Sequence, residues 1–136
     1  MSTLENAFEV TLQNRKRLNK FLKETPIEVL LEIPHGFRNN MWWNIAHVVV
    51  TQQLLVYKFS GQPMRVNDAL VEKFKKGTFP DGTATEEEIN QVADLLLATV
   101  EWMQEDYAKG LFKDYTEYTT SANVTLSSVD DAIIFN

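Results

Sequence analysis

The 136-residue sequence contains no cysteine. That excludes disulfides, thiolate nucleophiles and every metal centre built on cysteine sulfur, and it says nothing about compartment. Histidine is nearly as scarce, with only His35 and His47. Cations are the minority charge: 13 Lys and Arg stand against 19 Asp and Glu, for a net charge of −6 and a pI near 4.9. A nucleic acid, whose phosphates call for a cationic surface, is therefore not an expected partner. Long apolar runs are missing too. The longest stretch, Ile45–Tyr57, is interrupted by His47, Thr51, Gln52 and Gln53, and it is shorter than the roughly 20 residues that span a bilayer. "MSTLENAFEV" lacks a cationic region followed by an apolar run, so no signal peptide is read there and a cytoplasmic location is the expectation. There is no Gly-rich phosphate loop, nucleophile elbow or His-Glu-x-x-His motif.

What is present reads as helix. Apolar content of 44% with 24% charged residues fits one soluble globular domain over 1–136. Leu4, Phe8, Leu12, Leu18 and Leu22 predict a first helix near 3–23, with Arg15, Lys16, Arg17, Lys20 and Lys23 placed towards its negative end. Thr25-Pro26 opens a short helical piece that Pro34-His35-Gly36 breaks. A second long helix is predicted near 39–60, stopping at Ser60-Gly61-Gln62-Pro63, and a short one near 67–75. After the loop "KKGTFPDGTAT", Thr85 and Glu88 form a capping box for a third long helix near 85–109. Its buried face is read as Ile89, Val92, Leu96, Val100, Met103 and Tyr107. Ser127 or Ser128, followed by Asp130 and Asp131, marks the start of a fourth helix that has barely begun at Asn136. The expected fold is all-α, an up-down four-helix bundle with its fourth helix only begun.

His47 stands inside the most apolar of these helices. At 100° per residue, Asn40, Asn44, His47, Thr51 and Lys58 share an arc of roughly 60°, with Gln52 and Gln53 off it on opposite sides. Two readings fit this stripe. It is either the solvent face of a largely buried helix or the wall of a polar cavity in which His47 serves as a ligand. Trp43 borders the stripe and is the better pocket candidate of the two adjacent tryptophans. Asn44 and Thr51 are candidates to line the same cavity.

The segment "IPHGFRNNMWWNIAHVVVTQQLLVYKFSG" resembles the second-helix signature of the DinB-like (YfiT-like) superfamily of helical bundles. The resemblance is carried by the turn of Pro34, Gly36 and Phe37, by Trp43-Asn44-x-x-His47, and by Thr51-Gln52-Gln53. It implies a divalent-metal site of three histidines, Zn, Ni or Fe, with His47 as the metal ligand from the second helix. The other two, four residues apart on one face of the fourth helix, would be expected beyond Asn136, and His35 in its turn is no substitute. On this reading the chain is either cut short or has lost its metal, so residues 1–136 alone are expected to hold none. A complete site would imply a metal-dependent thiol transferase or hydrolase acting on a small molecule. The alternative is a non-catalytic, metal-free bundle acting through dimerisation or partner binding. Either way a homodimer is expected, since two-fold pairs are the commonest oligomers.

Overall fold

The computed structural model describes residues 2–136. Helix α1 spans Thr3–Glu24, α2 Ile27–Leu31, α3 Met41–Gln52, α4 Asp68–Phe74, α5 Glu86–Ala108 and α6 Val129–Phe135. Local chemistry accounts for most of these boundaries. Ser2 and Glu5 form a reciprocal capping box at the start of α1, and Thr85 and Glu88 form another at α5. The side chains of Asn40, Asn67 and Ser128 accept the orphan N–H groups of Trp43, Leu70 and Asp131. At α2 the cap falls on Pro26 rather than Thr25, with no side-chain bond.

Helix α3 does not end at Gln52. It widens into a π turn over Gln53–Tyr57, tightens into a 3₁₀ turn over Lys58–Ser60, and closes at Gly61 with φ of 71°. The Gly61 N–H donates to the Lys58 carbonyl and the Gln62 N–H to that of Tyr57, the paired bonds of a Schellman stop that requires a left-handed residue. An ideal helix would point Gln52 and Gln53 in directions 100° apart; here both are fully buried. They satisfy each other. Gln53 Nε2 donates to Gln52 Oε1 at 2.7 Å, Gln52 Nε2 to the Thr99 carbonyl at 2.9 Å, and the Arg65 N–H to Gln53 Oε1 at 2.7 Å. The strap ties α3 to α5 and to the loop after Gly61, and it offsets a burial cost of about 1–3 kcal/mol for each amide group left unpaired.

The described residues are all-α apart from one antiparallel ladder of two residues a side, β1 (Tyr118–Thr119) on β2 (Thr125–Leu126), within the connection from α5 to α6. That connection is fastened by the Tyr115 hydroxyl on the Leu55 carbonyl at 2.7 Å. Helices α1 and α5 pack along each other, α6 lies against α1 and the π turn, and α4 lies against α3. Two apolar clusters result. One gathers Trp42, Ala46, Val49, Phe74 and Leu96; the other gathers Val56, Tyr57, Met103, Leu126 and Ile133.

Arg15 corrects the reading of the first helix. Rather than joining its solvated basic tail, it is 2% exposed, and Nη1 donates to the Leu96 carbonyl and to Thr99 Oγ1, each at 3.0 Å. It stands seven residues from both Phe8 and Leu22, the two other buried residues of α1, so the heptad stripe carries it inward. No carboxylate meets it among the described residues, and burial lowers its pKa to about 10, leaving it charged at neutral pH. On α5, Asp106 rather than Tyr107 completes the buried face; Tyr107 is half-buried.

Candidate functional site: a lysine-walled cavity at His47

The His47 ring is held on three sides. The Trp43 indole stacks on it at 4.5 Å between centroids with 14° between planes. The indole is anchored in turn, its Nε1 donating to Thr78 Oγ1 at 3.0 Å, while that hydroxyl donates to the Lys75 carbonyl at 2.7 Å. His47 Nδ1 lies 2.6 Å from the carbonyl oxygen of Phe74. A carbonyl only accepts, so Nδ1 carries the proton. Phe74 is the last residue of α4, where carbonyls lack an intrahelical partner and carry partial negative charge; the imidazole supplies that partner. In the neutral ring Nε2 is then the acceptor, and the Thr51 hydroxyl sits 3.2 Å from it.

His47 and Thr51 form part of the wall of a cavity of about 350 Å³. Leu54 and Leu55 come from the π turn, and Phe59 from the 3₁₀ turn. Tyr118, Thr120 and Ser121 come from the ladder and its turn, and Phe135 from α6. Phe59 and Tyr118 stack at 4.7 Å with 18° between planes. Lys58, Lys75 and Lys76 complete the lining, which includes no carboxylate. Lys75 is held by Glu72 at 2.8 Å, outside that lining.

The stripe that the helical wheel drew as one surface is divided. His47, Thr51 and Lys58 share the cavity, whereas Asn40 is the buried cap of α3. Trp43 is buried behind the imidazole and does not line the cavity. Asn44 is exposed, donates to the Asn40 carbonyl at 3.0 Å, and borders a separate depression with Leu18, Phe21, Met41 and Ile45. Three residues of helix turn a side chain by about 300°, enough to carry Asn44 over the edge from His47. His35 is exposed in its turn. The cavity residues that sequence reasoning did not reach are Leu54, Leu55 and Phe59 on the same helix and, from elsewhere, Lys75, Lys76, Tyr118, Thr120, Ser121 and Phe135. The adjacent lysines were visible as a basic pair, but nothing local tied either them or the ladder to α3.

The expectation of a divalent-metal centre, and with it of a metal-dependent thiol transferase or hydrolase using Zn, Ni or Fe, is corrected here. Among the described residues no group of three or more His, Cys, Asp or Glu side chains comes together to hold a metal ion. The surroundings of His47 do not fit a cation: the cavity lining it shares includes three lysines and no carboxylate, and Thr51 occupies the Nε2 side. No helix among the described residues is long and apolar enough to cross a membrane.

Comparison with known proteins adds one finding. A family model described as the DinB superfamily matches residues 11–136, which include α3, the cavity and α6. No curated protein and no solved structure matches the chain.

Proposed function

We propose, for a chain that belongs to the DinB superfamily, a non-catalytic, metal-free helical bundle that acts by binding, with the His47 cavity as the place where a small organic molecule is taken up. The observation that carries this reading is the fixed imidazole. Stacked on Trp43, bonded to the Phe74 carbonyl and faced by Thr51, it is a rigid polar point in a cavity otherwise lined by aliphatic, aromatic and cationic groups and the hydroxyls of Thr120 and Ser121. Such a mixture, mostly apolar with a few placed polar groups, is what small-molecule sites are built from. The cavity has no acidic side chain to partner the imidazole in proton transfer, which supports binding over catalysis.

Titrating isotopically labelled protein with a panel of small aromatic and aliphatic fragments tests it. Amide signals of residues 47, 51 and 118–121 are expected to move together for at least one fragment. His47→Ala should abolish that response while lowering stability by only about 1–2 kcal/mol, the scale of one lost bond to a backbone carbonyl. A panel that leaves all those signals in place overturns the reading.

A second mode of binding, self-association, is favoured by a different surface. Phe21 and Met41 are 39% and 43% exposed, and with Leu18 and Ile45 they border a largely apolar depression between α1 and α3. Contiguous exposed apolar surface commonly marks an interface. We propose an isologous homodimer through this face. Light scattering at micromolar concentration should give twice the chain mass, and Phe21→Glu should return it to the single-chain value. A single-chain mass for the unaltered protein rules the dimer out.

A further inference from the structure

The polarity of the cavity goes further than its existence. The chain as a whole is anionic, with 13 cations among 136 residues, yet three lysines line this one cavity and no carboxylate does. Glu72 holds Lys75, but neither Lys58 nor Lys76 has an ion pair among the described residues. Three like-charged side chains lining a common space repel one another, and among the described residues the only ion pair made by any of them is that of Lys75 with the exposed Glu72. An anion entering the cavity meets a favourable field there. Beside His47 and the hydroxyls of Thr51, Thr120 and Ser121, the rest of the wall is apolar, from Leu54, Leu55, Phe135 and the stacked pair of Phe59 and Tyr118. At about 350 Å³, the space is at the small end of the range of about 300–1,000 Å³ for organic ligands.

Resting on the binding role assigned to the same cavity, we infer that its ligand is a small amphipathic organic acid. Its carboxylate lies among Lys58, Lys75 and Lys76, and its flat apolar body lies against Phe59 and Tyr118. The tautomer of His47 sets the direction. Nδ1–H is committed to the Phe74 carbonyl and the Thr51 hydroxyl occupies the Nε2 side, so each ring nitrogen already has a partner and neither is left to receive a carboxylate. The acid head is therefore steered to the lysines and the body to the imidazole side. Thr51, donating its proton to Nε2, keeps oxygen lone pairs free to accept from a hydroxyl or N–H on the ligand.

Two isosteric probes separate the acid from its body: 2-naphthoate and the neutral 2-naphthamide, each titrated into the full chain by calorimetry and followed at the amide signals of residues 47, 51 and 118–121. The carboxylate is expected to bind about tenfold more tightly than the amide, an advantage that shrinks as salt is added. In the double variant Lys58→Gln/Lys76→Gln the preference for the acid should fall to about threefold or less, the remainder due to Lys75, with the amide's affinity unchanged. Both lysines are exposed, so this variant keeps the fold. Equal binding of both probes to the unaltered protein, or an undiminished preference for the acid in the double variant, overturns the inference and leaves the cavity's binding role standing. Failure of both probes to bind also overturns the inference, while the binding role falls only if the wider fragment panel fails as well.

Discussion

Replacing Trp42 with alanine is expected to destabilise the protein by about 3–5 kcal/mol, the usual cost of emptying a large aromatic site from a packed core. Trp42 is 1% exposed, sets its ring edge-on against Phe74 at 5.5 Å, and lies in the cluster shared by α3, α4 and α5. Its indole nitrogen has no hydrogen-bond partner among the described residues. Trp42→Phe therefore removes an unsatisfied donor together with part of the volume, and about 1–2 kcal/mol is expected for it. The consequence for the site follows through Phe74. That residue packs on Trp42 with its side chain and holds His47 with its carbonyl, so loosening the ring frees the imidazole tautomer. Urea unfolding measures the first effect, and imidazole nitrogen resonances of His47 measure the second. An alanine variant costing under about 1 kcal/mol would contradict the assigned packing.

Asp106→Ala is the second large effect, about 2–3 kcal/mol, because it leaves the buried Tyr57 hydroxyl unpaired and takes the charged partner from the partly exposed Arg65. Asp106 is 6% exposed and Tyr57 is fully buried. The Tyr57 hydroxyl donates to Asp106 Oδ2 at 2.5 Å, and Arg65 Nη1 approaches the same oxygen at 3.1 Å while its guanidinium lies 4.6 Å over the Trp102 ring. Asp106→Asn should cost about half as much, since an amide oxygen still accepts from the phenol. The same cluster has a signature in pH. Burial first, and then the Asp106 carboxylate, push the Tyr57 pKa well above the usual tyrosine value. The unfolded chain releases that phenolic proton near pH 10 while the folded chain keeps it, so the contribution of Tyr57 is whole below about pH 10 and declines above it. The stability difference between the unaltered protein and Tyr57→Phe should shrink as pH rises from 9 to 11. A difference that stays constant over that range would remove Tyr57 from the linkage.

Helix ends and one buried face were written locally. Ser2 with Glu5, Asn40, Thr85 with Glu88, and Ser128 each satisfy an N–H within three residues, so neighbouring residues suffice to read them. The apolar period of α5 is of the same kind, as is the heptad that takes Arg15 inward beside Phe8 and Leu22, though its charge argued for the surface. The second-helix signature likewise pointed to the DinB superfamily, which the family match shows. What tertiary structure decided were the relations between distant residues. Gln52 and Gln53 are both buried because Thr99 and the Arg65 backbone receive them, and the helix between accommodates this with a π turn that no wheel at a fixed angle represents. Asp106 is buried in place of Tyr107 because Tyr57 and Arg65 meet it from α3 and the following loop. His47 was legible as the unusual residue, but its surroundings were not: Lys75, Lys76, Tyr118 and Phe135 approach it from three other segments. Periodicity and capping express forces acting within a turn or two of chain. A cavity's charge and its capacity for a metal depend on which side chains packing brings together, and here, among the described residues, packing gives the cavity at the imidazole three lysines and no further metal ligands.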